Sequence, residues 1–465
     1  MLENYIDLFQ DKMVHSVCDL INIPSVYEQS NDPNKPFGES INKALEYILE
    51  LGKSLGFKTK NMDGYCGYIE LGEGEELVGI IGHLDVVPGG DNWDTPPFAA
   101  TISNGCIYGR GAIDDKGPVI ASLYAMKAVK EYTTVHKRVR LILGLNEERD
   151  WKGISYYKQK EEHPSISFSP DADFPCIYAE KAVITMTLLQ HYFPSEQDSI
   201  ILKKLFDDHN AINVVPKLAT AILKVNSSME ECISLLKEII QRYGYEIDIY
   251  KMDDHHLKLT SYGTAAHSAH PDLGVNAISR LLIVLYGIFM KHNLHLPLLD
   301  KFFQYLNEDF NGNKLGINIP DESGILTCNV GTLSFENDQI QIGLNLRVPI
   351  HTSTDFVQTK IKEQMEVPHL ITIAIQETKP SLFLPKDHSL VQTLCHIFNE
   401  TTGLNASPIA IGGATYARAF PNCVSFGPNM PGSQDMCHQA NEFISLSNLT
   451  LSSKLYAKAI YELAK

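Results

Sequence analysis

Apolar residues recur at three- and four-residue steps over 3–20 and again over 38–56, where Ile48, Leu51 and Leu55 share a face. Both segments are expected as amphipathic helices. Residues 68–71 and 77–82 read instead as strands. The second is an unbroken apolar run, the pattern of a strand covered on both faces of a sheet. A Gly-, Pro- and Asp-rich stretch follows over 83–117, then a helix over 118–132, a buried strand over 138–145 and a short strand over 165–169. Such alternation predicts an α/β layered domain.

The texture changes after residue 181. Segments 182–190 and 246–260 alternate like strands with one wet face, and helical periodicity returns at 228–243, 274–291 and 353–366. Residues 327–333 and 339–347 are expected to form a hairpin around Asn337-Asp338. This is an α+β pattern inserted into the first domain. The prolines of TKPSLFLPKDHS, near 380, mark the return. A helix over 388–399, strands near 407–411 and 422–426 and a last helix over 445–463 complete the first domain. The expected organisation is therefore 1–181 and 381–465 as one domain, with a central mixed sheet flanked by helices, and 182–380 as the insertion.

Composition narrows the function. Of 465 residues, 44% are hydrophobic and 20% charged, an ordinary globular mixture. The net charge of −17 opposes binding to phosphate backbones, so no nucleic-acid partner is expected. The first residues carry acids early and lack a basic, then apolar, leader pattern, and no run reaches the roughly 18 apolar residues of a membrane span. No membrane partner is expected. The nine cysteines stand singly, with no CxxC pair. Reduced thiols and a cytoplasmic location are the expectation.

Chemistry gathers in predicted loops, most of them directly after strands, where open α/β sheets bind ligands. His83-Leu84-Asp85 follows the apolar strand; the imidazole is a candidate metal ligand and Asp85 a candidate to orient it. GRGAIDDKG (109–117) brings Asp114 and Asp115 together, which calls for a cation or Lys116 in compensation. Asn146-Glu147-Glu148 follows a second buried strand, and two adjacent buried carboxylates are costly without a partner. Asp171 lies in SPDAD, and His438 in a polar loop before the last helix. Taken singly, each has a bland reading: a strand-end histidine, an Asx turn, an acidic helix start, a Pro-Asp turn, a loop histidine. Taken together, they supply two imidazoles, three carboxylate ligands and a spare glutamate. That set suits two divalent ions about 3.5–4 Å apart. Cysteine is not needed, so zinc, manganese and cobalt are all open.

The motifs HLDVVPGGDNWDTPPF, GRGAIDDKGP, NEERDWKG, FSPDADFP, AAHSAHPDLGVNA, IGGATYAR and CHQANEF occur in this order along nearly the whole chain. The sequence resembles the co-catalytic metallopeptidases of the aminoacylase and carboxypeptidase G family, and within it the PepV-type bacterial dipeptidases. The resemblance implies a catalytic domain built from 1–181 and 381–465, a lid domain over 182–380, and two divalent ions per chain, zinc first. It implies His83 and Asp171 on one ion, Glu148 and His438 on the other, and Asp114 bridging. Glu147 becomes the general base and Asp85 the residue that orients His83. It further implies His267 and Asn213 as lid contacts to the oxyanion and the substrate. Arg347, with Gly412 and Gly413, becomes the clamp on a substrate carboxylate. A dipeptide or short peptide is the implied substrate, and a monomer the implied state. Asn146, Arg149-Asp150 and Ala414 depart from the family pattern and put the shape of the substrate pocket in question. Rival readings are an N-acyl-amino-acid deacylase of the same architecture and an inactive peptide-binding relative.

Overall fold

The computed structural model describes residues 2–208, 211–434 and 436–465. It divides into two compact units. The first comprises the chain up to Ala179, Leu382–Ile409 and Ala414–Lys465; the second comprises Glu180–Ser381 and Ala410–Gly413.

The first unit is built on a nine-stranded mixed sheet. Its centre is Leu77–His83, buried at every position. This strand runs parallel to Arg138–Gly144 on one side and Ile166–Ser169 on the other. Cys423–Ser425 joins Ile166–Ser169 in parallel, and Cys66–Leu71 joins Arg138–Gly144 antiparallel. Because three parallel strands end together, the loops after His83, Gly144 and Ser169 leave from the same edge of the sheet. The helices Leu2–Ile21, Lys116–Tyr132 and Leu446–Ala464 pack on one another, and the last two also meet Leu77–His83 and Arg138–Gly144. Ile81 and Ile142 pack in a separate cluster with Ile154, Tyr157 and Tyr416. Both faces of the central strand are thus covered by apolar side chains, as its composition requires.

The second unit is an eight-stranded sheet in the order Ile247–Lys251, His256–Tyr262, Leu218–Val225, Ile200–Asp207, Thr327–Glu336, Gln339–Val348, Ala182–His191, Ile371–Lys379. Every pairing in it is antiparallel. Its two halves meet at Ile200–Asp207 and Thr327–Glu336, which pair at Phe206 and Ser334. Helices Met229–Tyr243, Ala277–Lys291, Pro297–Tyr305 and Thr354–Met365 bury their apolar stripes in the same core. The hairpin turn is formed by Asn337 and Asp338, both with positive φ, as a two-residue turn between twisted strands requires.

Gly412 and Gly413 fall in the second unit although the sequence places them among residues of the first. The Lys181 N–H donates to the Ile411 carbonyl and the Arg347 Nη1 to that of Gly412, which ties this short excursion to the second sheet. Among the described residues, no helix is long and apolar enough to cross a membrane.

Candidate metal centre

Three parallel strands deliver most of the first unit's candidates. His83 ends the central strand, Glu147 and Glu148 follow Arg138–Gly144, and Asp171 follows Ile166–Ser169. Asp114 precedes the helix Lys116–Tyr132, and its bond to Asp115 is cis. His438 sits in the loop before the last helix, with φ near 64°, a left-handed backbone that side chains other than glycine rarely adopt.

These residues converge on Asp114. Its Oδ1 lies 3.0 Å from His83 Nε2 and its Oδ2 3.1 Å from His438 Nε2. Asp171 Oδ2 is 3.7 Å from the same His83 nitrogen. Glu148 Oε1 is 3.0 Å from the same His438 nitrogen. Two donor groups result, His83–Asp114–Asp171 and Asp114–Glu148–His438, each with its donor atoms within 4.8 Å of one another. Asp114 alone belongs to both.

The inner parts of the site are held by hydrogen bonds. His83 Nδ1 donates to the Asp85 backbone carbonyl at 2.9 Å, which leaves Nε2 facing the carboxylates. The Asp85 carboxylate is farther from that nitrogen, at 3.6 Å. Its two oxygens instead accept the backbone N–H groups of Glu147 at 3.0 Å and Glu148 at 3.1 Å. Asp85 therefore sets the turn that carries both glutamates, and touches His83 mainly through its own backbone. Asp115, the neighbour of Asp114 in the GRGAIDDKG turn, takes a different place: it is buried and accepts the His83 N–H at 3.1 Å. Tyr416 packs edge-on to the His83 ring; it lies in the IGGATYAR motif, but no sequence signal assigned it a role.

Electrostatics at this cluster favour positive charge. Burial, and then the Asp114 charge, push the Asp171 carboxyl well above the usual carboxylate range and raise Glu148 too. Burial opposes the charged form of Asp114, but hydrogen bonds to His438 and His83 outweigh it and lower its pKa. Burial likewise opposes charge on the imidazoles. The Asp114 hydrogen bond, with the nearby Asp85 and Asp171 charges, overcomes this at His83, and hydrogen bonds to Asp114 and Glu148 raise His438 to about 11. Three crowded carboxylates thus recruit positive charge from whatever is near. A donor set of imidazole nitrogen and carboxylate oxygen, without sulfur, fits divalent cations such as zinc or manganese. Such an ion competes with the imidazole protons, so its binding weakens as pH falls. Glu147 lies close enough for its charge to act on Asp171.

The second unit gathers its own candidates. The Ser268 N–H, next to His267, donates to the Asn213 carbonyl at 2.9 Å, and Val214 bridges His267 as an isolated β-pair. Arg347 is buried in Gln339–Val348. Its Nε donates to Asn345 Oδ1, its Nη1 to the Gly412 carbonyl at 2.8 Å and its Nη2 to Ser268 Oγ at 3.1 Å. Arg347, Gly412 and the His267 segment therefore form one hydrogen-bonded group within that unit. Asn329 had no sequence signal: it is fully buried and donates to the carbonyls on either side of Asn213, those of Ile212 and Val214.

Residues 79–462 match the model of peptidase family M20/M25/M40. The chain is 38% identical over 468 residues to "Putative dipeptidase YtjP" of Bacillus subtilis strain 168, covering 98% of each chain. It is 32% identical over 474 residues to "Putative dipeptidase SH1171" of Staphylococcus haemolyticus, covering 100% of this chain and 99% of that one. Among solved structures, human carnosine dipeptidase 1 superposes with a TM-score of 0.62 at 15% identity, covering 100% of this chain and 98% of that one. The dipeptidase Dug1p of Saccharomyces cerevisiae superposes at 0.61 and 12% identity, covering 99% and 98%. At such identities these two structures speak for the fold.

Proposed function

The chain belongs to peptidase family M20/M25/M40, as a metal-dependent hydrolase of peptide bonds, and from that premise we propose that it is a dipeptidase that cleaves short peptides with a free C-terminal carboxylate. The observation that carries the reading is Asp114, with one oxygen on His83 and the other on His438. In this reading His83 and Asp171 hold one divalent cation, Glu148 and His438 hold another, and Asp114 is shared. Zinc is the first candidate, with manganese and cobalt as alternatives. When bound, such a pair supplies Lewis-acid polarisation of the scissile carbonyl and acidifies water.

The rest is the work of side chains. Glu147, its backbone pinned by Asp85, takes the proton of the attacking water and delivers it to the leaving amine nitrogen. His267 and Asn213 donate to the oxygen that becomes negative as the carbonyl turns tetrahedral. Arg347, with the backbone of Gly412 and Gly413, holds the product-side carboxylate, which selects substrates whose C-terminus lies close to the scissile bond. The second unit serves as a lid, and the protein works as a monomer in the cytoplasm.

The deciding experiment compares free dipeptides with N-acetylated amino acids, with and without a chelator. Chelator-sensitive cleavage of dipeptides supports the proposal. Preference for the acylated amino acids would make the protein a deacylase, and absence of turnover on both would make it a binding protein.

A further inference from the structure

His83 and His438 are held in different ways. The His83 side chain is 1% exposed and grows from the central strand, so the sheet places it. The His438 side chain is 50% exposed and sits in a loop, so packing around the ring does not place it. Its backbone must be fixed instead. One buried ion pair reaches that backbone.

Arg110 and Glu442 are 2% and 0% exposed and pair at 2.7 Å. The Glu442 carboxylate also accepts the backbone N–H groups of Ile113 at 3.0 Å and Asp114 at 3.3 Å. The Arg110 guanidinium donates onward to the carbonyls of His438 at 3.3 Å, Gln439 at 3.2 Å and Pro88 at 3.3 Å. A single buried pair thus grips the backbone of Asp114 with its acid and the backbone of His438 with its base. Buried ion pairs add little net stability over apolar isosteres, so stability is a poor explanation for this one. Its geometry explains it better: the planar fork of arginine reaches several carbonyls at once, which a lysine ammonium does not reproduce.

We propose that Arg110 and Glu442 are positioning residues that set the distance between Asp114 and His438, and with it the affinity of the cation position formed by Asp114, Glu148 and His438. The proposal rests on the reading of those three residues as ligands. It makes the two cation positions unequal: the His83 position is built by the sheet, and the His438 position depends on the clamp.

The test is a titration of metal-free protein with cobalt(II), followed by calorimetry and by the visible absorption of the bound ion. Wild type is compared with Arg110→Lys, which keeps the charge, and Glu442→Gln, which keeps an acceptor for the amides. Both variants are expected to bind the first ion about as wild type does and the second at least about tenfold more weakly, the scale of lost groups behind a ligand. The absorption of the second ion should change, kcat should fall with KM for the peptide little altered, and excess cobalt should restore kcat. Two ions bound with wild-type affinities by both variants would overturn the clamp. So would two variants that fail to fold, since the pair would then be structural. Wild-type protein that takes up no ion would overturn the metal reading and the clamp with it, a result seen before any variant is made.

Discussion

At the scale of single residues, the site turns on which atom of each side chain faces inward. Asp85 illustrates it. The sequence suggested a carboxylate on His83, but that carboxylate accepts two amides of the glutamate turn and its backbone carbonyl meets the ring. Asp85→Asn offers one acceptor and one donor where two acceptors are used. Its activity or metal affinity should fall by about 10–100-fold, read by turnover and by metal content after dialysis. Glu147→Gln should keep its metal content and lose at least about a hundredfold in kcat; a variant with unaltered turnover would remove Glu147 as the base. Arg347→Lys should raise KM for dipeptides more than it lowers kcat, and a change confined to kcat would contradict the carboxylate clamp. Four of the five donor residues stand next to a recognisable strand or glycine-rich turn, which drew attention to them; His438, in a polar loop, stood out only in company with the others and through the resemblance. Asp114 and Asp115 were not separable by composition and only the resemblance favoured Asp114; in the fold one meets the imidazoles and the other the His83 backbone.

At the scale of elements, the strands that deliver the site are also those most plainly written. Residues 77–82 and 141–144 are apolar because both faces of these strands are covered, and Ile80 is fully buried. Ile80→Ala should cost about 2–5 kcal/mol, measured by denaturant unfolding; a cost near zero would mean that the strand is not central. Gly144 shows how closely the layers approach. A Cβ there would lie 2.2 Å from the Tyr416 ring, which packs on His83. Gly144→Ala should therefore destabilise by about 1–3 kcal/mol and lower activity as well, read by thermal unfolding beside turnover. Other elements left little trace. Lys58–Met62 is a mostly exposed edge strand of sequence KTKNM, without alternation to recognise. The helix Lys152–Lys160 starts from a left-handed Trp151 with no side-chain cap, so no start signal announced it.

At the scale of the whole molecule, long-range pairings decide what local patterns cannot. Arg110 and Glu442 are 332 residues apart, and nothing near either one forecasts their partnership. The excursion Ala410–Gly413 was equally hidden, because its allegiance to the second unit rests on bonds to Lys181 and Arg347. The alternation of strands and helices, by contrast, made the α/β class readable at once. Cations that bind only the folded chain should stabilise it, by about 2.7 kcal/mol at a free concentration a hundred times the Kd. Chelation should lower the Tm and abolish activity together, and restored zinc, manganese or cobalt should recover both. The most direct test is anomalous scattering from crystals soaked in zinc. The account predicts two peaks about 3.5–4 Å apart, one against His83 and Asp171, the other against Glu148 and His438, with Asp114 touching both. Zinc found elsewhere, or no peak among these five side chains, would contradict it.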